Sequence, residues 1–186
     1  MKIYFSGSHA VGKSTLARYV SEKYKLPMIT ETARAVLSER ELQIDSLRSN
    51  IHLVNSYQTE VFYRQIEEEK KHESFVSDRS LIDCLAYSAQ HSEVAAQLSA
   101  DPIFKTYLES LNKPDVLMFF VRASKATLRH DGVREQLNWD GVVAIDAIVK
   151  FLLEVYGVRY FQISTDSMQE RTKFIDNIIG LSSLNS

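Results

Sequence analysis

The sequence predicts an α/β fold built on a parallel sheet, and three observations carry that expectation. Short β-rich runs alternate with amphipathic stretches of helical period along the chain, the pattern of successive βαβ units. The run "DVLMFFV" (Asp115 to Val121) is apolar almost throughout, as a central strand covered on both faces would be. Side chains able to do chemistry fall just after the β-rich runs, where ligands sit in parallel α/β sheets.

Taken in order, "KIYF" (Lys2 to Phe5) reads as the first strand, then a glycine loop, then the amphipathic helix "KSTLARYVSEKY". "LPMIT" (Leu26 to Thr30) is a second short strand with Pro27 at its edge, a position that needs no ladder donor. Glu31 to Arg40 reads as a helix. From Ser46 to His72, Leu47, Ile51, Val54, Val61 and Ile66 form the apolar stripe of a long helix. "SFVSD" is a third strand ending at Asp78, followed by a helix from Arg79 to Gln90. Pro102 to Asn112 is another helix, with Pro102 suited to its first turn. Beyond "DVLMFFV", polar arginine-containing sequence runs to Asn138. Val142, Ile145, Val149, Leu152 and Tyr156 mark the next helix, "VRYFQIS" a fifth strand, and Met168 to Ile179 a closing helix. The tail "LSSLNS" is expected to fray.

At 186 residues the chain fits one domain, residues 1–186, large enough for a substantial core. Hydrophobic residues make up 45% and charged residues 25%, ordinary values for a soluble protein. A net charge of −2 gives no overall basic field for nucleic acid, although a local basic groove stays open. The single cysteine, Cys84, excludes an internal disulfide framework, fits a reducing compartment and lies in an apolar run where packing is its expected role. Met1 and Lys2 lead directly into the first strand without the regions of a secretory signal. The longest apolar run, Val116 to Val121, is too short to cross a bilayer. The expectation is a cytoplasmic protein with no membrane partner.

The stretch "FSGSHAVGKST" reads G-x-x-x-x-G-K-S, with Gly7, Gly12, Lys13 and Ser14 at the required spacing. Glycines let the backbone approach phosphate oxygens and turn amide N–H groups toward them. The helix that follows presents unpaired N–H groups and its positive dipole end to the same anion. The segment Gly7, Ser8, His9, Ala10, Val11, Gly12, Lys13, Ser14 and Thr15 is therefore the expected nucleotide-binding loop. Lys13 would reach the β- and γ-phosphates, and Ser14 would offer a hydroxyl to Mg²⁺. His9 has no assigned role.

Asp78, at the end of the third strand, is placed as a carboxylate for Mg²⁺ or its water shell. Arg79 follows at once and Asp83 lies one helical turn on, both candidates to touch the acceptor; the bland alternative is a helix-start carboxylate with a surface ion pair. After the second strand come Glu31 and Arg34, three apart on one helix face. Glu31 could take a proton from an acceptor hydroxyl and Arg34 could hold an anionic part of the acceptor; the alternative is a local capping pair. Arg122, Arg129 and Arg134 follow the fourth strand, with Asp131 and Gly132 between them. Arginines closing over the site would neutralise charge on a transferred phosphoryl group and exclude water; the alternative is a solvated loop. "NKPD" (Asn112 to Asp115) matches the guanine-reading pattern N-K-x-D, but it precedes a strand and so lies at the wrong edge of the sheet.

Together "GSHAVGKST", "TETAR" (Thr30 to Arg34), "SDRSLIDCLAYS" (Ser77 to Ser88), "DGVR" (Asp131 to Arg134) and "GVRYFQI" resemble the ribosylnicotinamide-kinase-like group of P-loop nucleoside and nucleotide kinases, of the phage and bacterial type. The likeness spans nearly the whole chain. It implies a three-layer P-loop NTPase fold with a five-stranded parallel sheet of order 2-3-1-4-5 and an arginine lid at about residues 122–138. It further implies that Glu31 or Asp78 is the acidic catalytic residue, with Arg79 near the acceptor or the transferred phosphate. Arg122 would sit at the lid base near adenine or phosphate, Arg129 and Arg134 in the lid, and the loop Ser164, Thr165, Asp166 near adenine.

The function expected is transfer of the γ-phosphate of ATP, with Mg²⁺, to a hydroxyl of a nucleoside or nucleotide. An alternative acceptor is a 5-hydroxymethyl-pyrimidine within DNA, taken out of the stack. The Ser46 to His72 helix, with Arg48, His52, Arg64, Lys70 and Lys71, could then form one wall, although Glu60 and Glu67 to Glu69 interrupt its charge. A P-loop ATPase module is the remaining class. Tyr57, Phe62, Tyr63 and Tyr87 could stack a base or simply fill the core. Monomer and homodimer, paired through the long helix, are both open.

Overall fold

Successive side chains of a strand point to opposite faces, and β1 (Lys2–Ser6) uses that alternation to feed two layers. Ile3 and Phe5 enter one apolar cluster, while Tyr4 enters a second cluster on the other face. The computed structural model describes residues 1–39, 50–125 and 139–184. In it β1 is the middle of a sheet that runs β2 (Met28–Ile29), β3 (Phe75–Asp78), β1, β4 (Val116–Val121), β5 (Phe161–Ile163). All four pairings are parallel. The order 2-3-1-4-5 is the one expected.

Helices cover both faces. On the Ile3/Phe5 side, α1 (Lys13–Tyr24) contributes Leu16, Ala17 and Val20. The closing helix α8 (Met168–Leu184) adds Ile175 and Ile179 to that layer. The Tyr4 side is covered by α2 (Thr32–Glu39), α3 (Ile51–Lys70), α4 (Leu81–His91), α5 (Ala95–Ala100), α6 (Pro102–Leu111) and α7 (Trp139–Val155). Val36, Phe62, Leu85, Leu98, Phe104 and Val149 from those helices pack with Phe75, Met118 and Phe120 of the strands. Cys84 is buried in the same layer, as expected, and burial pushes its thiol far above the ordinary range.

Several boundaries differ from the sequence expectation for visible reasons. Arg79 is not helical: its φ is 107°, and Ser80 caps α4 through a box closed by Asp83. Asn50 caps α3 by accepting from the His52 and Leu53 amides, and the expected start at Ser46 lies outside the described residues. β2 and β5 are shorter than their apolar runs, although the Pro27 carbonyl still accepts from the Val76 amide at 2.9 Å. The short helix α5 was not anticipated, because six residues carry too little period to read. The closing helix runs past the expected Ile179 to Leu184, so the first four residues of the tail "LSSLNS", expected to fray, are helical, and the last two lie outside the described residues. At the amino edge of the sheet, the Asp115 carbonyl accepts from the Lys2 amide, so "NKPD" does lie away from the glycine loop. Among the described residues no helix is long and apolar enough to cross a membrane.

Candidate phosphate-binding and acceptor site

The carboxyl ends of β1 and β3 are in register, Phe5 beside Asp78, so the glycine loop and Asp78 emerge at one edge. Gly7 turns the chain there with φ 142°, and a Cβ on it would stand 2.4 Å from the Val121 carbonyl oxygen. Only glycine fits. The turn is braced from α4: Asp83 accepts from the Gly7 amide at 2.9 Å, from the Ser6 hydroxyl at 2.6 Å and from the Ser80 amide at 2.9 Å. Asp83 was expected to touch the acceptor. Instead it is fully buried, with both oxygens holding the loop and the start of α4.

Lys13, in the first turn of α1, is buried and donates to the Ser8 carbonyl at 2.5 Å. Burial, and next the charge of Arg79, push its ammonium down to about 8, while Asp78, Asp83 and Glu31 pull the other way. The Ser14 hydroxyl donates to Asp78, which joins the two expected Mg²⁺ groups directly. Alternation along β3 explains the meeting: Ser77 pairs with Tyr4 on one face, and Asp78 turns to the α1 face.

Glu31 and Arg79, 48 residues apart, meet where β2 and β3 end. Arg79 Nη2 donates to Glu31 Oε1 at 2.7 Å, and Arg34 Nε donates to Glu31 Oε2 at 2.8 Å. Burial works to raise the Glu31 carboxyl, but the charges of Arg79, Lys13 and Arg34 prevail and hold it at about 2. Arg34 is largely exposed, whereas Arg79 is buried, with its guanidinium 4.5 Å from the centre of the Tyr87 ring. The strained backbone at Arg79 is offset by its amide bond to the Phe5 carbonyl.

His9 gains a position: its Nδ1 lies 3.2 Å from the Tyr87 hydroxyl, so the phosphate loop leans on the residue that carries Arg79. Of the four aromatic candidates, Tyr87 lies against Arg79, and Tyr57 is buried and donates to the Ala33 carbonyl, two residues on from Glu31, at 3.0 Å. Phe62 is core, and Tyr63 is exposed and donates to Asp101.

Sequence reading missed a buried polar network beneath this cluster. Thr32 donates to Gln65 Oε1 at 2.5 Å, and Gln65 Nε2 donates to Glu69 at 2.9 Å and to the Ser77 hydroxyl at 3.0 Å. Tyr4 and Tyr107 both donate to Glu69, at 2.7 and 3.1 Å. Burial outweighs these bonds and pushes the Glu69 carboxyl up to about 7.

On the β4–β5 side, Arg122 Nε donates to Asp146 Oδ2 at 2.9 Å, and the Ala123 amide to Oδ1 at 2.7 Å. Arg122 is thus tied to α7. The Thr165 hydroxyl donates to Glu170, while its carbonyl accepts from Arg171 Nε at 2.6 Å. Arg171, also missed, reaches the Val11 carbonyl with Nη1 at 2.6 Å. Arg129 and Arg134, with Asp131 and Gly132, lie outside the described residues.

The residues fit a polyphosphate and a divalent ion. Buried polar atoms are normally paired, yet among the described residues Ser8 Oγ, Arg79 Nε and Arg171 Nη2, on or beside the loop, have no partner, as has Ser88 Oγ in α4. Among the described residues no group of three or more His, Cys, Asp or Glu could hold a metal unaided, so Ser14 and Asp78 would share an ion with phosphate oxygens.

A parallel sheet of this order, with a glycine loop joining its middle strand to a helix, defines a P-loop NTPase fold of the kinase type. The chain belongs to the AAA domain family, whose match covers residues 2–171. Among solved structures it is similar to deoxyadenosine kinase from M. mycoides with bound dATP, at 17% identity over 100% of both chains and a TM-score of 0.64. It is similar to YorR from Bacillus subtilis in complex with phosphorylated GDP, at 14% identity over 98% of each chain and a TM-score of 0.61. NadR in complex with NAD and AMP-PNP shares 15% identity over 98% of this chain and 49% of its own, with a TM-score of 0.69. At these identities the likeness is one of fold. No curated protein sequence matches the chain.

Proposed function

We propose that this chain is a kinase that transfers the γ-phosphate of ATP to a hydroxyl of a nucleoside or nucleotide, the acceptor class of the ribosylnicotinamide-kinase-like group. The observation that carries the reading is the Glu31–Arg79 pair beside the phosphate loop. It sets a carboxylate for an acceptor hydroxyl next to a cation for the transferred group. In a nucleotide-driven module the same carboxylate would orient water instead, so transfer to an added hydroxyl is what separates the two readings.

Lys13 would leave the Ser8 carbonyl for phosphate oxygens, while the loop amides hold the rest of the polyphosphate. Mg²⁺ held by Ser14 and Asp78 would screen charge between the phosphates. Bound phosphates would offset the charges of Lys13 and Arg79 that now hold Glu31 low, which raises its basicity when the acceptor is in place. A loose phosphoryl-transfer transition state asks for little proton abstraction, so orientation of the hydroxyl is the larger part of the Glu31 role. Tyr87 and Tyr57 would flank a planar base, and Arg34 would meet anionic acceptors at the rim. The domain reading, with a lid at 122–138 that brings Arg129 and Arg134 over the donor, belongs to the same proposal.

DNA as acceptor draws less support, because Arg64 pairs with Glu39 and Glu60, and Lys71 with Glu68.

The test is transfer of radiolabelled γ-phosphate, screened against nucleosides, nucleotides and DNA with and without 5-hydroxymethyl-pyrimidines. Lys13→Ala should lower turnover about 100- to 1,000-fold in a folded protein. Near-normal turnover in both Glu31→Gln and Asp78→Asn would overturn the acid assignments. ATP hydrolysis indifferent to every acceptor would replace the kinase reading with an ATPase module.

A further inference from the structure

Arg171 stands in the first turn of α8 and is 1% exposed, one of the largest fully buried side chains described. Its two bonds go to neutral carbonyls, Thr165 in the loop after β5 and Val11 in the phosphate loop, each at 2.6 Å. Among the described residues Nη2 has no partner, and Asp166 is the carboxylate whose charge favours its charged form. A buried arginine with no carboxylate in contact is expensive to keep. Its placement suggests what it is kept for.

A trans peptide is planar, with its C=O and N–H on opposite sides, and no cis peptide occurs among the described residues. The Val11 carbonyl and the Gly12 N–H belong to one such unit. Holding the carbonyl against α8 therefore turns the Gly12 N–H the other way, and a cationic partner on the carbonyl strengthens that N–H as a donor. The seat is close: Gly12 has φ 93°, and a Cβ on it would meet Arg171 Nη1 at 3.3 Å. The rigid guanidinium fork aims separate N–H groups at carbonyls of two different loops, a fixed span that the single ammonium nitrogen of a lysine does not reproduce.

We propose that Arg171 is a positioning residue for the phosphate donor. It ties the loop after β5, which would carry the donor's base, to the Val11–Gly12 peptide of the phosphate loop, so that filling one site sets the other. This rests on the reading of the chain as an ATP-binding kinase. The uncompensated charge behind the loop is balanced when the triphosphate binds in front of it.

The test compares wild type, Arg171→Met and Arg171→Lys for binding of ATP and of inorganic tripolyphosphate, with steady-state kinetics and thermal melting alongside. Arg171→Met should raise the KM for ATP about tenfold to 100-fold, the loss of charge-assisted bonds, with the acceptor KM unchanged. It should also shrink ATP's affinity advantage over tripolyphosphate. Arg171→Lys, which returns the charge but not the fork, should recover tripolyphosphate binding without restoring that advantage. A folded Arg171→Met with wild-type ATP KM overturns the inference. So does equal weakening toward ATP and tripolyphosphate, which is a charge effect without coupling. If Arg171→Met does not fold, an unchanged ATP-to-tripolyphosphate ratio in Arg171→Lys overturns it alone. Wild type that fails to bind ATP ends the kinase reading as well, whereas wild type that binds ATP beside an indifferent Arg171→Met ends only this inference.

Discussion

Where β1 turns Ile3 and Phe5 toward α1 and α8, they meet Leu16, Val20, Val76, Phe119, Ile175 and Ile179. Where it turns Tyr4 and Ser6 the other way, they meet Glu69, Met118, Ser80 and Asp83 as well as apolar neighbours. One strand thus borders a dry layer and a layer threaded with polar side chains. The polar layer leads to chemistry: Thr32 follows Glu31, Ser77 precedes Asp78, and both bond to Gln65. Satisfied buried polar groups fix geometry but add little net stability, whereas apolar packing stabilises without specifying direction. The dry layer holds the sheet together, and the polar layer aims the residues at its carboxyl edge.

The sharpest break of that division is Phe119→Ala. Phe119 is fully buried and stacks on Phe5 with ring centres 5.3 Å apart, so its loss should cost about 3–5 kcal/mol. Denaturant unfolding would measure it, with the same cost at pH 5 and pH 7. Glu69→Gln probes the polar layer and should differ in kind. The Glu69 carboxyl is raised to about 7 in the fold, so its protonated form favours folding. That contribution is complete below the unfolded value near 4.5 and is lost as pH rises through about 7. Wild type should lose on the order of 1–3 kcal/mol across this window through Glu69, and Glu69→Gln should lose that much less. Parallel stability–pH curves for the two proteins would refute it. Thr32→Val is the smallest change: the volume is kept but one donor to Gln65 is lost, for about 1 kcal/mol. Its informative readout is turnover, which should fall more than stability does if the network aims Glu31.

The phosphate loop was legible because its spacing is local and its chemistry needs no partner to be recognised. Glu31 and Arg79 were readable as residues after strands, but their bond was not, since it depends on β2 and β3 ending side by side. For Asp83 the helix-start alternative is the one the fold bears out: Ser80 and Asp83 form a capping box, which commits the carboxylate to the helix start. Glu69 was read within the acidic run Glu67 to Glu69, yet its spacing from Phe62, Gln65 and Ile66 puts it on the buried stripe of α3. Arg171 left no signal, because its partners are backbone carbonyls that any sequence supplies.

The outermost strands, β2 and β5, run for only two and three residues. A neighbouring chain seeking to lengthen the sheet would find too few free amides and carbonyls in line to dock against. The flanks are blunted against fibril-like stacking. Among the described residues, the sheet edges offer little to a second copy, which leaves helix and loop surfaces for any contact between copies.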